Sequence, residues 1–148
     1  MNKIINKRRG DNMGKINIED LYWEDWDELS KNKDEIDRIF HYLKDFEARE
    51  IDELAHILTL YNNPSGAYTV EFANIIADLY RYSKIKFIKA LGIVKDESIN
   101  LVYVFRNLKV FTDEDEELKE ILGIEELSQG DKEVAKDFFQ MYKNICAS

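Results

Sequence analysis

Histidine and cysteine, which often carry nucleophilic or metal chemistry, are scarce in this 148-residue chain, which has two histidines and one cysteine. In the pair Glu53-x-x-His56, a carboxylate and an imidazole lie three residues apart, and helical geometry places both on one face. Di-iron bundles use this spacing, but they also need a second such pair and two further glutamates. The nearest second pair is Asp37 and His41, four residues apart. We therefore expect both histidines to be solvated or locally paired. The alternative is a metal site at Glu53 and His56, in a metal carrier or an enzyme.

Carboxylates are concentrated in two stretches. Residues 19–29, EDLYWEDWDEL, hold six acidic residues, two tryptophans and a tyrosine without a basic residue. Residues 113–124, DEDEELKEILGI, have carboxylates at the first, third and fifth places of an EF-hand loop. The glycine and the glutamate that this calcium geometry also needs are replaced by Leu118 and Ile124, which excludes it. The acids therefore form either a solvated surface or a surface that meets a partner.

Sequence motifs of common enzymes are missing. The chain contains no G-x-x-x-x-G-K, G-x-S-x-G, H-E-x-x-H or C-x-x-C motif. Phosphate-binding loops, nucleophile elbows and the common zinc sites therefore lack the residues that they require. We expect no catalytic residues and no cofactor.

The first acidic stretch has the periodicity of an amphipathic helix that Asn17 can cap. At about 100° per residue, one side gathers its apolar residues, namely Ile18, Leu21, Tyr22, Trp26 and Leu29. Trp23 lies at the edge of this apolar arc, and Asp25 points into it. Tryptophan is enriched in interface hot spots because it buries a large, rigid surface. Trp23 therefore either covers the rim of the domain or anchors a partner.

The candidate partner-binding residues are the aromatic and acidic residues of the two stretches: Trp23, Asp25, Trp26, Asp27, Asp113, Asp115 and Glu117.

Charge is distributed unevenly along the chain. The net charge is −9, yet residues 1–15 carry +4, so the remaining residues carry −13. We expect a basic, disordered tail at residues 1–15 and a single all-α domain at residues 16–148. An acidic body repels phosphate backbones, so we expect no direct nucleic-acid binding by that body and a protein partner with a basic surface. No run of about 18 apolar residues occurs, so we also expect a cytoplasmic protein without a membrane contact.

Turn and capping signals in the sequence are those of helices. Residues suited to N-capping precede the periodic runs: Asn17, Asn32, Thr69, Asp96, Thr112 and Asp131. Gly92 and Gly123 each follow such a run, which predicts glycines in the left-handed conformation at helix ends. No stretch shows sustained alternation of apolar and polar residues. The sequence predicts an all-α fold of antiparallel helical hairpins, stacked as a short solenoid or as a globular bundle.

Apolar residues at helical spacing predict the core. Three stripes are Ile36, Ile39, Phe40, Leu43 and Phe46; Ile51, Leu54, Ala55, Leu58 and Tyr61; and Val134, Phe138, Met141, Tyr142 and Ile145. The face changes near Ala48 and Arg49, which predicts a bend or a tight hairpin there. Residues 68–91 and 99–111 are apolar on more than one side, as helices with neighbours on two faces must be. These two stretches are the predicted centre of the core.

A basic interval lies inside the first central stretch. Residues 79–95 contain no acid and five cations: Arg81, Lys84, Lys86, Lys89 and Lys95. We expect these residues to balance acids elsewhere in the chain, with a nucleic-acid or membrane site as the alternative.

One part of the chain resembles a known repeat. The residues concerned are Phe72, Ala73, Ile76, Ala77 and Tyr80, followed by FIKALG from Phe87 to Gly92. Here, over about residues 68–122, the chain resembles a HEAT-like helical hairpin, although the first helix lacks a proline and neighbouring units do not repeat it residue by residue. The resemblance implies a scaffold whose surface binds another protein, without chemistry of its own.

The sequence thus favours a non-enzymatic protein-binding module, such as a small acidic inhibitor, an immunity-like protein or an adaptor. Besides the metal-binding alternative, the carboxylates could stand in for phosphates, which would make the protein a nucleic-acid mimic that inhibits a nucleic-acid-binding partner.

Overall fold

The computed structural model describes residues 31–60 and 68–147. These residues form seven α-helices: α1 (Lys33–Lys44), α2 (Ile51–Leu60), α3 (Thr69–Tyr82), α4 (Lys84–Ile93), α5 (Ser98–Asn107), α6 (Glu114–Leu122) and α7 (Gln129–Ala147). Short 3-10 turns at Phe46–Ala48 and Lys95–Glu97 lie between α1 and α2 and between α4 and α5. No strand occurs in the two described ranges, which confirms the predicted all-α fold.

Among the predicted N-caps in the described residues, one is confirmed and the others lie one to three residues from the observed cap. Asn32 caps α1 as predicted, because its side chain accepts a hydrogen bond from the Glu35 amide at 3.2 Å. Thr69 is the first residue of α3 rather than its cap, and Asp96 lies in the 3-10 turn that precedes α5. Asp131 lies inside α7, so that prediction of a cap was wrong by three residues. The predicted cap at Asn17 lies outside the described residues.

Of the two predicted glycine caps, Gly123 does end a helix, but neither glycine has the predicted left-handed conformation at a helix end. Gly92 lies inside α4, and Gly123 ends α6 with a φ of −89°, which is not a left-handed conformation. The left-handed residue that ends a helix is instead Lys109, after α5, with a φ of 52°. Here the Lys109 amide donates to the Arg106 carbonyl, and the Val110 amide donates to the Phe105 carbonyl. This pair of bonds is a Schellman motif, so Lys109 occupies a position that favours glycine.

Aromatic side chains from four parts of the chain meet around Phe105 of α5. Its ring centroid lies 5.2 to 5.5 Å from the ring centroids of its neighbours, which are Tyr80, Phe87, Phe111 and Phe138. Phe111 extends the cluster along α7 by stacking on Phe139 at 4.7 Å. All these rings are buried. The cluster joins α3, α4, α5 and α7 in one core, as the two-sided apolar stretches predicted.

The remaining helices pack around this cluster. α2 lies against α4, whereas α7 contacts α4, α5 and α6. The α1 stripe faces inward as predicted, since Ile36, Ile39 and Leu43 are buried. The predicted bend near Ala48 is the 3-10 turn between α1 and α2. The described helices form a packed bundle, and the HEAT-like character of α3 to α6 stays a prediction.

Substitution of Lys109 by glycine should stabilise the fold. A side chain in the left-handed region costs about 1 to 2 kcal/mol, and glycine removes that cost at the expense of some unfolded-state entropy. We expect Lys109→Gly to raise the free energy of unfolding by about 1 kcal/mol in urea unfolding. Lys119 is an exposed lysine inside α6, so Lys119→Gly should instead lower that free energy by about 1 kcal/mol. A loss of stability in Lys109→Gly would contradict the Schellman assignment.

Candidate partner-binding face

The acidic stretch that begins at Asp113 forms α6 and the turn after it. Only Ile121 of α6 is buried, so apolar burial anchors the helix through little of its length. Asp113 caps the helix in place of the predicted Thr112: its Oδ1 accepts hydrogen bonds from the Asp115 and Glu116 amides at 3.1 and 3.2 Å. Four acids in the first turn also interact favourably with the helix dipole. The local sequence therefore stabilises a helix whose side chains are mostly polar.

Glu117 fixes α6 to the core. Its carboxylate accepts a hydrogen bond from the Tyr80 hydroxyl at 2.9 Å and pairs with the Lys84 ammonium. Lys84 also pairs with Glu120 at 2.8 Å. Burial alone would lower the pKa of Lys84, but the two carboxylates outweigh it and raise that pKa. Burial, followed by the Glu117 charge, raises the pKa of Tyr80, so the tyrosine stays protonated and acts as the donor.

A second ion pair fixes α6 to α7. The Lys143 ammonium lies 2.9 Å from the Asp115 carboxylate. The hydrogen bond and the negative charge of Asp115 raise the pKa of Lys143. Because both side chains are largely exposed, solvent screens the pair and it contributes little to stability. All three predicted partner-binding acids in this part of the chain, Asp113, Asp115 and Glu117, thus have partners within the chain.

A different set of acids points outward. Glu116, Glu125 and Glu126 are exposed, and none of them forms an ion pair within the described residues. Glu116 also lines a shallow cleft of about 480 Å³ between Asp113 and Gly123. We call these three carboxylates the outward acids. Their exposed carboxylates remain available to another molecule.

The basic interval serves the fold, as the sequence predicted. Arg81 pairs with Asp78 in α3, and Lys84 holds α6. The Lys86 ammonium donates to the Phe46 carbonyl at 3.2 Å, which ties α4 to the turn after α1. Lys89 pairs with Asp131 at 2.8 Å and so ties α4 to α7. Balance of charge within the chain thus accounts for three of the five cations, Lys86 binds a backbone carbonyl, and Lys95 is exposed.

Asp131 also completes a capping box at the start of α7. The Ser128 hydroxyl accepts from the Asp131 amide at 3.1 Å, while the Asp131 carboxylate accepts from the Ser128 amide at 3.0 Å. Partial burial alone would raise the pKa of this carboxyl, but the hydrogen bonds from Lys89 and Ser128 outweigh it and lower that pKa. The charged form of Asp131 is therefore the form that the fold favours.

Replacement of Asp131 should destabilise the protein in a pH-dependent way. Because the folded-state pKa is depressed, the stabilisation is fully present above the unfolded pKa of about 3.9 and is lost as the pH falls through the folded value. We expect Asp131→Asn to lower the free energy of unfolding by about 1 to 2 kcal/mol at neutral pH. The deficit should shrink below about pH 4. Denaturant unfolding at pH 7 and at pH 3 measures this deficit.

Asp137 provides the matched control for this prediction. It is an exposed acid on the same helix, with no ion pair among the described residues. Asp137→Asn should change stability by less than about 0.5 kcal/mol at either pH. A deficit in Asp131→Asn that is the same at pH 3 and pH 7 would contradict a role for its charge.

The Glu53 and His56 pair lies in α2, beside the turn from α1. Glu53 accepts from the Glu50 amide at 2.9 Å and from the Tyr42 hydroxyl at 3.2 Å, and it lies 3.5 Å from Arg49. The Arg49 guanidinium also covers the Tyr42 ring at 3.6 Å. Glu53 thus binds groups that hold the α1 to α2 corner together. No group of three or more His, Cys, Asp or Glu side chains suited to a metal ion occurs within residues 31–60 and 68–147.

The predicted anchor residues Trp23, Asp25, Trp26 and Asp27 lie outside the described residues. The predicted acids that are described become helix caps and ion-pair partners, whereas the outward acids were missed. The sequence signal for that division was weak, because all eight acids of residues 113–126 lie in one continuous stretch. The acids that form ion pairs differ from the outward acids only in their positions relative to Lys84 and Lys143.

A groove between α1 and α3 was also missed. Its volume is about 700 Å³, and it lies between the apolar side chains Ile36, Phe40, Tyr68 and Ile75. Phe40 packs against Tyr68 and Phe72 at 5.5 and 5.4 Å, which holds the two helices together at one point. No sequence pattern predicts this groove, because its two walls are separated along the chain.

In the described part of the chain, no helix is both long enough and apolar enough to cross a membrane. Comparison of the chain with protein-family models, with curated proteins and with solved structures found no match. Its function therefore has to be argued from its own residues.

Proposed function

We propose that the protein is a non-enzymatic binding module that recognises a protein partner with a basic surface. A small inhibitor, an immunity-like protein or an adaptor would have these properties. The observation that carries the proposal is the set of outward acids, Glu116, Glu125 and Glu126, which lie within eleven residues and have no ion pair in the described structure. Like charges held near one another disfavour the folded state, and a cationic partner would relieve that cost.

The structural acids support the same proposal in another way. Glu117 and Asp115 hold α6 against α3, α4 and α7, so the helix presents Glu116 from a fixed position, and Glu125 and Glu126 lie in the turn after it. A fixed arrangement of charges loses little entropy when a partner binds. Basic residues on the partner, arginine above all, would match exposed carboxylates as charge-assisted hydrogen-bond donors.

The association rate with such a partner should depend steeply on salt. The partner is captured from an extract of the source cells with the full chain, purified, and measured by surface binding kinetics. Because screening weakens long-range steering, we expect the association rate to fall about tenfold or more between about 0.05 and 0.5 M ionic strength. The dissociation rate should change much less. An association rate that is indifferent to salt would retire the electrostatic part of the proposal.

Two triple variants locate the binding face. Replacement of Glu116, Glu125 and Glu126 by glutamine should slow association without lowering stability. The matched control neutralises three exposed acids of the first two helices and the turn between them, in the variant Asp34→Asn, Glu47→Gln, Asp52→Asn. It changes the net charge equally, so equal slowing in both variants would show a general charge effect and no specific face.

Two further experiments with the same partner distinguish between the possible binding modes. If Trp23 anchors the partner, Trp23→Ala should raise the dissociation rate, since buried tryptophans act mainly on dissociation. If the carboxylates mimic phosphates, DNA should compete for the partner, whereas a purely protein-directed face should resist competition. The metal-binding alternative predicts stoichiometric metal in the purified protein that is lost in Glu53→Ala and in His56→Ala.

A further inference from the structure

The outer side of α5 carries apolar residues that the described helices leave exposed. Ile99 and Tyr103 lie four residues apart, hence on one side of the helix, and each is 47% exposed. Ile93, at the end of α4, is 58% exposed, so three of the five exposed large hydrophobic residues lie within residues 93–103. Neighbouring exposed apolar side chains are typical of interaction surfaces. The opposite side of α5 is buried in the core through Leu101, Val102, Val104 and Phe105.

Two cations continue this row at the end of α5. Arg106 lies three residues after Tyr103, which places it on the same side of the helix. Lys109 follows at the left-handed position after the helix. Both side chains are exposed, and neither forms an ion pair or a side-chain hydrogen bond within the described ranges. Residues 98–111 contain no acid, so this stretch is locally positive in an acidic protein.

The conformation of Lys109 indicates a use for its charge. Glycine adopts a φ of 52° without steric cost, whereas a lysine there lowers the stability of the fold. Strained residues of this kind are concentrated at sites where the side chain serves a function. The strained Lys109, the unpaired Arg106 and the exposed Tyr103 lie within seven residues. Three independent features thus mark the same end of α5.

The chemistry of this row selects its occupant. A phosphate or a nucleic-acid backbone would pair with the cations but would leave Ile99 and Tyr103 exposed. An anionic membrane would face much of the protein, whose net charge of −9 repels it. An acidic segment with apolar residues avoids both problems, because it contacts α5 alone. Spacings of four and three residues along the row match those of an amphipathic helix.

We propose that the outer side of α5, formed by Ile99, Tyr103, Arg106 and Lys109, binds an acidic amphipathic helix of a partner protein. Apolar residues of the partner one turn apart cover Ile99 and Tyr103. Carboxylates further along the partner helix pair with Arg106 and Lys109. This site is separate from the outward acids and takes a partner of the opposite charge, so the two sites together suit an adaptor.

A synthetic peptide tests this site on the full chain. The peptide is a capped, alanine-rich helix with two leucines four residues apart and two glutamates three and six residues after them. Amide NMR spectra of the full chain locate it, and we expect shifts concentrated in residues 99–109. Replacement of its leucines by alanine, or of its glutamates by lysine, should each weaken binding about tenfold or more.

Lys109→Gly separates binding from folding. It should weaken binding of the peptide about fivefold or more, although its urea midpoint rises, whereas Lys109→Arg keeps the charge and should keep the affinity. Tyr103→Ala should weaken binding about tenfold. The matched control is Lys119→Gly, which removes an exposed lysine from α6. It should leave the affinity unchanged, although its urea midpoint falls.

Several outcomes would overturn the proposal. These are absence of peptide binding, shifts that fall outside α5 and the turn after it, and an affinity that Lys109→Gly leaves unchanged. Binding to vesicles of phosphatidylserine and phosphatidylcholine that Tyr103→Ala abolishes would assign the surface to a membrane instead. Shifts of the α5 amides on dilution of the chain without peptide would assign it to a second copy of the chain.

Discussion

One side chain, Tyr80, connects the core of this protein to its acidic surface. Its ring is buried and lies 5.4 Å from both Phe105 and Phe111, in the cluster that joins α3, α4, α5 and α7. Its hydroxyl leaves the core and donates to Glu117 on α6. Apolar packing holds this helix at few points, since only Ile121 is buried and Leu118 packs partly buried against the core. The aromatic cluster therefore fixes α6 through a hydrogen bond to a charged group, which is stronger than one between neutral groups.

This attachment divides the acids of one helix into two groups. Glu117 and Glu120 pair with Lys84, and Asp115 pairs with Lys143, so these three acids hold the helix in place. Glu116 lies beside Glu117 in the sequence but points into solvent. Any partner that approaches this helix meets Glu116, whose position is set by these three acids. The same logic applies to Asp131, whose charge holds α4 and α7 together.

The sequence predicted what depends on local residues. That the basic interval pairs with acids elsewhere follows from its lack of acids. The cap at Asn32 and the inward stripe of α1 follow from patterns within one or two helical turns. Pairings between distant parts of the chain do not: Tyr80 and Glu117 are 37 residues apart, and Lys89 and Asp131 are 42 apart. Their register depends on how the aromatic rings pack, which periodicity does not encode. Lys109 was missed for the related reason that tertiary packing imposes a left-handed residue where the sequence offers no glycine.

The measurement that tests the division of the acids most directly compares two neighbours in α6. Glu116→Gln and Glu117→Gln remove the same charge from adjacent residues, and urea unfolding gives their free energies of unfolding. We expect Glu117→Gln to lose about 1 to 2 kcal/mol, because Tyr80 and Lys84 lose a charged acceptor. Glu116→Gln should stay within about 0.5 kcal/mol of the unaltered protein. Equal losses in the two variants, or a larger loss in Glu116→Gln, would contradict the account.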